Sequence, residues 1–255
     1  MMECKNCSTS LPSAYHYCPS CGAKVVHNRL TLKQVGQDLG NQVFNLDNTF
    51  FKTFKHLFVQ PDAVIKSYIS GTRKKYMNPI GYFAIAVTLL GVLFFFLRRV
   101  YHVDLTSNSF TDREGPNMDF IFDYQGLLSY LIVPLNAIMT WILFIDRKKL
   151  NYTEHLVANA YISGQVSFVQ VLVCLPLFGL FNIRYDVFTW VFLVLTISYQ
   201  FYVLKKVHQI GFWNSFLRAF AYLLLFVILM MVIGTLIVVL SIVTGQMSIE
   251  DFRPK

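Results

Sequence analysis

The chain has 255 residues, of which 55% are hydrophobic and only 14% charged, and its mean hydropathy is +0.49. A soluble domain of this size and composition would expose too much apolar surface, so the composition excludes an ordinary soluble globular protein. The formal net charge of +8 is typical of a membrane protein whose lysines and arginines face anionic lipid at the inner surface.

The first 21 residues contain two Cys-x-x-Cys pairs that are separated by ten residues. Two such pairs supply four thiolates to one tetrahedral Zn²⁺, and four thiolates leave no open position for water, which predicts a structural metal site. Gly22 follows the second pair and allows the close backbone approach that such a knuckle needs. We therefore predict a zinc ribbon over residues 1–27. Its metal ligands are Cys4, Cys7, Cys18 and Cys21.

Iron and disulfides are the alternatives to zinc for these cysteines. Iron is chemically compatible with four thiolates. Two disulfides would need an oxidising compartment, yet the chain opens Met-Met-Glu-Cys without the apolar run of a secretory signal. Reduced cysteines indicate a cytosolic ribbon. Residues 1–27 offer few basic and aromatic side chains, so we do not expect this ribbon to bind nucleic acid.

Residues 28–78 are not apolar enough to cross a membrane, and we predict that they form amphipathic or interfacial helices. From Leu30 to Leu46 the apolar residues fall at helical spacing. In Thr49 to Phe58 the aromatic residues share one side and the lysines lie elsewhere, which is typical of a helix in the membrane interface. The pattern fits equally a helix that packs on the cytosolic end of a helical bundle. Pro61 then opens another short helix, which Gly71 would end in a left-handed conformation.

Five apolar runs are long enough, or nearly so, to cross a bilayer as helices, which takes about 20 residues. They cover about Pro79 to Leu97, Gly126 to Ile145, Leu156 to Phe181, Val187 to Leu204 and Phe216 to Val243. We predict an all-α helical membrane protein with its transmembrane bundle over residues 79–244 and a short tail over residues 245–255. Only a short connection joins the third and fourth runs, so a four-span arrangement stays open.

Lysine and arginine in the connections predict the orientation of the spans. Residues 1–78 carry ten lysines and arginines against four acids, whereas residues 101–125 carry five acids against one arginine. Basic clusters also follow the second run, at 147–149, and the fourth, at 205–206. This alternation predicts a cytosolic N-terminus and an outside C-terminus, with Arg98 and Arg99 as an exception. The lipid bilayer is then a partner, with anionic lipid at the cytosolic face.

A resemblance rests on the segment Pro61-Asp-Ala-Val-Ile-Lys-Ser-Tyr-Ile-Ser-Gly-Thr-Arg-Lys-Lys-Tyr-Met-Asn-Pro79 and on Tyr152-Thr-Glu-His-Leu-Val157. Both are similar to elements of an uncharacterised bacterial membrane family, domain of unknown function 3667, which is common in Bacteroidetes. Members of the family resemble this chain in their N-terminal pair of Cys-x-x-Cys knuckles. The resemblance implies a multi-pass architecture in a bacterial inner membrane, and it implies no activity.

The basic stretch before the first span is a candidate site for lipid head groups or a substrate phosphate. Asn78 and Pro79 suit the start of a helix, as cap and first helical residue. The preceding side chains would then lie at head-group level, where ordinary positive-inside anchoring is the alternative explanation. The candidate residues are Arg73, Lys74, Lys75 and Tyr76.

The third apolar run carries a stripe of polar residues at steps of three and four, which places them on one helix face. Polar groups in hydrocarbon need partners, and Asn136, Thr140, Ser198 and Gln200 in the neighbouring runs could supply them. The stripe is either a polar path for an ion, proton or small solute, or a set of interhelical hydrogen bonds. Its residues are His155, Asn159, Ser163, Ser167, Gln170 and Cys174, and Glu154 sits beside its start, at the cytosolic mouth of such a path.

The sequence contains no phosphate-binding glycine loop, metalloprotease helix or nucleophile elbow. The favoured hypothesis is a non-enzymatic membrane protein whose cytosolic zinc ribbon recruits or senses a protein partner for the helical bundle. One alternative is a transporter of small solutes or lipid that uses the polar stripe. Another is a lipid-modifying membrane enzyme that uses Glu154 and His155.

Overall fold

A computed structural model of the chain describes residues 2–4, 7–12, 15, 17–21, 49–71, 75–103, 105, 125–180 and 185–243. The chain divides into two compact units, Met1–Asn48 and Thr49–Lys255. Several predictions concern residues outside the described ranges. These are the role of Gly22, the amphipathic pattern of 30–46, the head-group contacts of Arg73 and Lys74, and the 245–255 tail.

The described part of the first unit is a small knuckle-and-hairpin structure. Strand β1 (Met2–Glu3) pairs antiparallel with β2 (Ser10–Leu11), and Met2 lies opposite Leu11. The buried side chains of Cys4, Leu11 and Cys18 form its core. A core of three side chains is too small to hold a fold alone, so a bound metal would have to stabilise it.

The second unit is all-helical. Its helices are α1 (49–59), α2 (Pro61–Ile69), α3 (Pro79–Arg99), α4 (Gln125–Leu143), α5 (Tyr152–Leu180), α6 (Tyr185–His208) and α7 (Phe212–Val243), with a 3₁₀ turn at Ile145–Arg147 between α4 and α5. Five of the helices in the described part of the chain, α3 to α7, are long and apolar enough to cross a membrane. The protein is a multi-pass membrane protein, and the five predicted runs correspond to five helices.

Local capping explains where several helices begin and end. The Asn78 side chain accepts a hydrogen bond from the Gly81 amide at 2.7 Å, with Pro79 as the first helical residue, which confirms the predicted start of α3. Gly71 has a φ of +94°, as predicted for the turn after α2. Helix α5 starts at Tyr152, four residues before the apolar run. The reason is a capping box, in which Asn151 and Glu154 exchange backbone-to-side-chain hydrogen bonds of 2.7 and 2.9 Å.

Helices α3 and α5 form the closest helix pair of the bundle. At Gly164 an added Cβ would lie 2.9 Å from Cδ1 of the buried Tyr82 and 3.4 Å from the Cα of Phe83. A side chain at this position would therefore push the two helices apart. Gly164 supports close approach of α3 and α5, as small residues do in membrane helix packing.

Helix α1 packs on the bundle and also keeps an exposed aromatic edge. Thr53 and Leu57 are fully buried, and Phe50 and Phe54 pack against the main core. Phe51, by contrast, is exposed beside the lysines of the same helix. Of the two interpretations left open by the sequence, packing on the bundle is observed, and a position in the membrane interface stays a prediction. The second unit includes α1 and α2 together with the spans.

Candidate metal centre and buried polar cluster

The four N-terminal cysteines converge in space. Their four Sγ atoms all lie within 4.8 Å of one another, and the Cys4–Cys21 and Cys7–Cys18 pairs are each 3.6 Å apart. Zinc–sulfur bonds of about 2.3 Å place tetrahedral thiolates about 3.8 Å apart, so the spacing fits one ion held by four sulfurs. The arrangement brings together all four predicted ligands and could hold a metal ion.

Neighbouring backbone and hydroxyl groups support these sulfurs. The Cys4 amide donates to the Thr9 carbonyl at 2.9 Å, which closes the loop between the first two cysteines. Thr9 Oγ1 lies 3.1 Å from Cys7 Sγ. Hydrogen bonds from the Thr9 side chain and backbone lower the pKa of Cys7 to about 6, from the ordinary thiol value of 9.0. Cys7 therefore favours the thiolate form, which is the form that binds metal.

The residues at the N-terminal end of the predicted polar stripe form a hydrogen-bonded cluster between α4 and α5. Asn159 donates to Thr140 Oγ1 at 2.9 Å and to the His155 carbonyl at 2.8 Å, and His155 Nδ1 lies 3.2 Å from Thr140 Oγ1. The Thr140 hydroxyl itself donates to the Asn136 carbonyl at 2.9 Å. Because this hydroxyl already donates, His155 Nδ1 is the donor to it, and Nε2 carries the lone pair. Thr140, one of the predicted partners, thus joins the two helices.

The remaining residues of the stripe differ in how far they are buried. Ser167 is buried, Ser163 and Gln170 are half-buried, and Cys174 is buried in an apolar cluster, as predicted for a small core residue. Glu154 is occupied by the helix cap of α5. Of the other predicted partners, Ser198 donates to the Val194 carbonyl of its own helix.

A second histidine, which the sequence patterns did not single out, stacks on the first. The ring centres of His155 and His208 lie 5.3 Å apart with an angle of 28° between the ring planes. Phe144 stacks on the His208 ring, with the two ring centres 4.2 Å apart. Both histidines are buried. Three of their nitrogens, Nε2 of His155 and both nitrogens of His208, have no hydrogen-bond partner in the described part of the chain. His208 was missed because it lies beyond the apolar run in the polar last turn of α6.

An ion pair between Arg218 and Asp146 lies beside Phe144, which stacks on His208. Arg218 of α7 makes a bidentate contact with Asp146, at 2.9 and 2.6 Å, and donates to the Leu143 carbonyl. Its guanidinium also lies 4.7 Å from the centre of the Phe144 ring. The hydrogen bond from Arg218 holds the pKa of the Asp146 carboxyl below its ordinary value. These contacts tie the α4–α5 connection to α7.

Basic side chains collect at this end of the bundle. The Lys149 ammonium donates to the His208 carbonyl at 2.9 Å, so the α4–α5 connection meets the end of α6. We call this end, where α3 and α5 begin and α4 and α6 end, the basic end. Its connections contribute Arg147, Lys148, Lys149, Lys205 and Lys206.

Tyrosine hydroxyls and one glutamine connect α1 to the spans. Tyr199 and Tyr202 of α6 donate to the Leu57 and Phe58 carbonyls at the end of α1, at 3.1 and 3.0 Å. Gln165 donates to the Phe54 carbonyl at 3.2 Å and accepts from the Tyr82 hydroxyl. The two tyrosine bonds satisfy backbone carbonyls that the end of α1 leaves without a helical partner.

The described members of the predicted head-group set lie beside α1. Tyr76 is buried, and its hydroxyl lies 2.8 Å from His56 Nδ1, so the ring packs inside the protein rather than standing free as an interface anchor. The ammonium groups of Lys52 and Lys75 lie 5.7 and 5.4 Å from its centre. The local backbone is fixed by Tyr161, which donates to the Met77 carbonyl at 2.6 Å.

Comparison with known proteins finds one family model that matches the α1–α3 region. Residues 47–91 match a family model described as a protein of unknown function, DUF3667. The match confirms the resemblance to domain of unknown function 3667. The matched segment includes α1, α2 and the first part of α3, and so the contacts that dock α1 on the spans. No curated protein and no solved structure matches the chain.

Proposed function

We propose that this chain is a non-enzymatic membrane protein whose N-terminal zinc ribbon recruits or senses a cytosolic protein partner for the helical bundle. The observation that supports the proposal is the cluster of four cysteine sulfurs within 4.8 Å of one another. An all-sulfur set of this spacing suits Zn²⁺ and closes its coordination sphere, so the metal holds a shape instead of activating water.

The surface of the ribbon suits protein recognition. Tyr15 and Tyr17 are 44% and 62% exposed, although they belong to a unit with a very small core. Exposed tyrosines are enriched where proteins bind one another, because they bury a large area at a small cost in conformational entropy. Cys7 and Cys21 are exposed on the same small unit, so its fold and its recognition surface depend on the same metal.

The charge distribution supports a cytosolic N-terminus in a bacterial inner membrane. The basic end carries the lysines and arginines of two connections, and it is also the end at which α3 begins. The positive-inside rule assigns such an end to the cytosol and to contact with anionic lipid. The same assignment puts the ribbon where thiols stay reduced.

The transporter and enzyme alternatives have less support. His155 and Asn159 pair with Thr140, and Glu154 is held in the cap of α5. Glu154, Asn159 and Nδ1 of His155 are therefore engaged in structural contacts. The polar stripe is better explained as interhelical hydrogen bonding.

Affinity purification of the full-length protein in a mild detergent, with metal analysis, tests the proposal. We expect a stoichiometric protein partner with the unaltered chain and its loss from Cys18→Ser, which still inserts in the membrane. The double variant Tyr15→Ser/Tyr17→Ser should keep its zinc and lose the partner. Equal capture by Cys18→Ser would contradict the proposal.

A further inference from the structure

A groove opens between α5 and α6 directly beneath the end of α1. Its volume is about 250 Å³, and its walls are almost entirely apolar. Helix α5 contributes Val166 and Val169, helix α6 contributes Leu195, Thr196 and Tyr199, and Phe58 of α1 covers one end. A groove of this kind between helices that cross a membrane is in contact with lipid chains.

Toward the basic end, a lysine follows the groove-lining residues on the same face of α6. Going down α6 from the basic end, Lys206, Tyr202, Tyr199 and Leu195 follow at steps of four, three and four residues, so they share one helix face. The Lys206 ammonium lies 5.9 Å from the centre of the Tyr202 ring, and Tyr202 itself holds the Phe58 carbonyl. From Lys206 to Leu195 the helix rises by about 16 Å.

A second lysine lies on α1, whose Phe58 lines the groove. Lys55 is exposed on α1, three residues before Phe58, and residues at that spacing are neighbours on a helix surface. The Tyr199 and Tyr202 hydroxyls are used on carbonyls of α1, so Tyr199, which lines the groove, presents mainly its ring to it. Lysines toward the basic end and an apolar groove farther along α6 match the head group and the acyl chain of an anionic phospholipid.

We propose that this groove holds one anionic phospholipid, with its phosphate at Lys206 and Lys55 and one acyl chain between α5 and α6. The lipid would pack against Phe58 and so join the end of α1 to the two spans. This site is distinct from the predicted set at residues 73–76, and it does not depend on the function proposed for the ribbon.

Native mass spectrometry of the delipidated full-length protein, titrated with phosphatidylglycerol or phosphatidylcholine, tests the proposal. We expect one phosphatidylglycerol to bind before any other lipid. Leu195→Trp should fill the groove and abolish this first binding event. Val194→Trp is the matched control, because both positions are well exposed (58% and 64%) and only Leu195 lines the groove.

A charge variant separates head-group recognition from filling of the groove. Lys206→Gln should reduce the preference for phosphatidylglycerol over phosphatidylcholine by roughly fivefold, the effect of one lysine near an anionic head group. Lys205→Gln removes the same charge from the next residue, whose ammonium lies over Phe212 instead, and should leave the preference intact. Unsaturable binding of both lipids alike, undiminished binding by Leu195→Trp, or a dimer that occludes the groove would each overturn the proposal.

Discussion

Individual polar side chains inside the bundle join neighbouring helices by hydrogen bonds. Gln165 is fully buried, and its amide joins the Tyr82 hydroxyl of α3 to the Phe54 carbonyl of α1. Replacing this amide by an apolar group would remove the bond to α1 and leave the buried Tyr82 hydroxyl without its acceptor. Burial without a hydrogen bond then costs free energy.

Gln165→Leu should lower the free energy of unfolding by about 1–3 kcal/mol, the cost of leaving a buried polar group unpaired. The measurement is unfolding by SDS titration in mixed micelles. Gln170→Leu makes the same change at a half-buried position five residues further on and should have the smaller effect. Equal losses from the two variants would show that Gln165 has no special role in the packing.

The Asp146–Arg218 pair should make stability depend on pH. The folded-state pKa of Asp146 is lowered by Arg218, so the stabilisation is present above the ordinary carboxyl pKa of about 3.9 and is lost as pH falls through the lowered value. Asp146→Asn should therefore be less stable than the unaltered chain at pH 6, and this difference should vanish in acid.

Thermal unfolding in detergent over a pH series measures this difference. Asp62→Asn is the control, since the ion pair of Asp62 in the described residues is a partly exposed one with Lys66, at 3.5 Å. A destabilisation by Asp146→Asn that persists unchanged in acid would mean that charge is not the cause.

At the scale of helices, the contact between α3 and α5 depends on one residue without a side chain. In Gly164→Ala, overpacking against Tyr82 should lower the free energy of unfolding by about 1–3 kcal/mol. The higher helix propensity of alanine should offset roughly 1 kcal/mol of this loss. Gly91→Ala in α3 meets nothing within 4 Å and should be neutral or stabilising. Comparable stability of the two variants, measured by the same SDS titration, would contradict close packing at Gly164.

The helices themselves were largely predictable, because the signals that specify them are local. An apolar run predicts a span from composition alone, and Asn78 before Pro79 predicts the start of α3. Helix ends such as the last turn of α6 were missed because lysines and a histidine there interrupt the run. Spacing alone was also enough for the four cysteine ligands.

Contacts between distant residues could not be predicted in this way. Tyr82 and Gln165 are 83 residues apart, and Arg218 and Asp146 are 72 apart. Nothing in the local sequence of either partner indicates the other. The stacking of His208 on His155 likewise depends on how α5 and α6 meet, which hydrophobic periodicity does not determine.

For the whole molecule, the proposed orientation predicts which connections face the cytosol. A membrane-impermeant thiol reagent added to intact spheroplasts should label His102→Cys, just beyond α3, and should not label Lys206→Cys, at the basic end. Opening the cells should make Lys206→Cys reactive. Labelling of Lys206→Cys in intact spheroplasts would reverse the orientation and place the ribbon outside the cytosol.

The central claim is that four cysteines hold one structural zinc ion, and metal content measures it most directly. Purified full-length protein, analysed by inductively coupled plasma mass spectrometry, should contain one zinc per chain. Cys18→Ser should contain none, and Cys174→Ser, which alters the buried cysteine of α5, should keep the full amount. An unaltered chain that lacks zinc, or Cys18→Ser that retains it, would contradict the account.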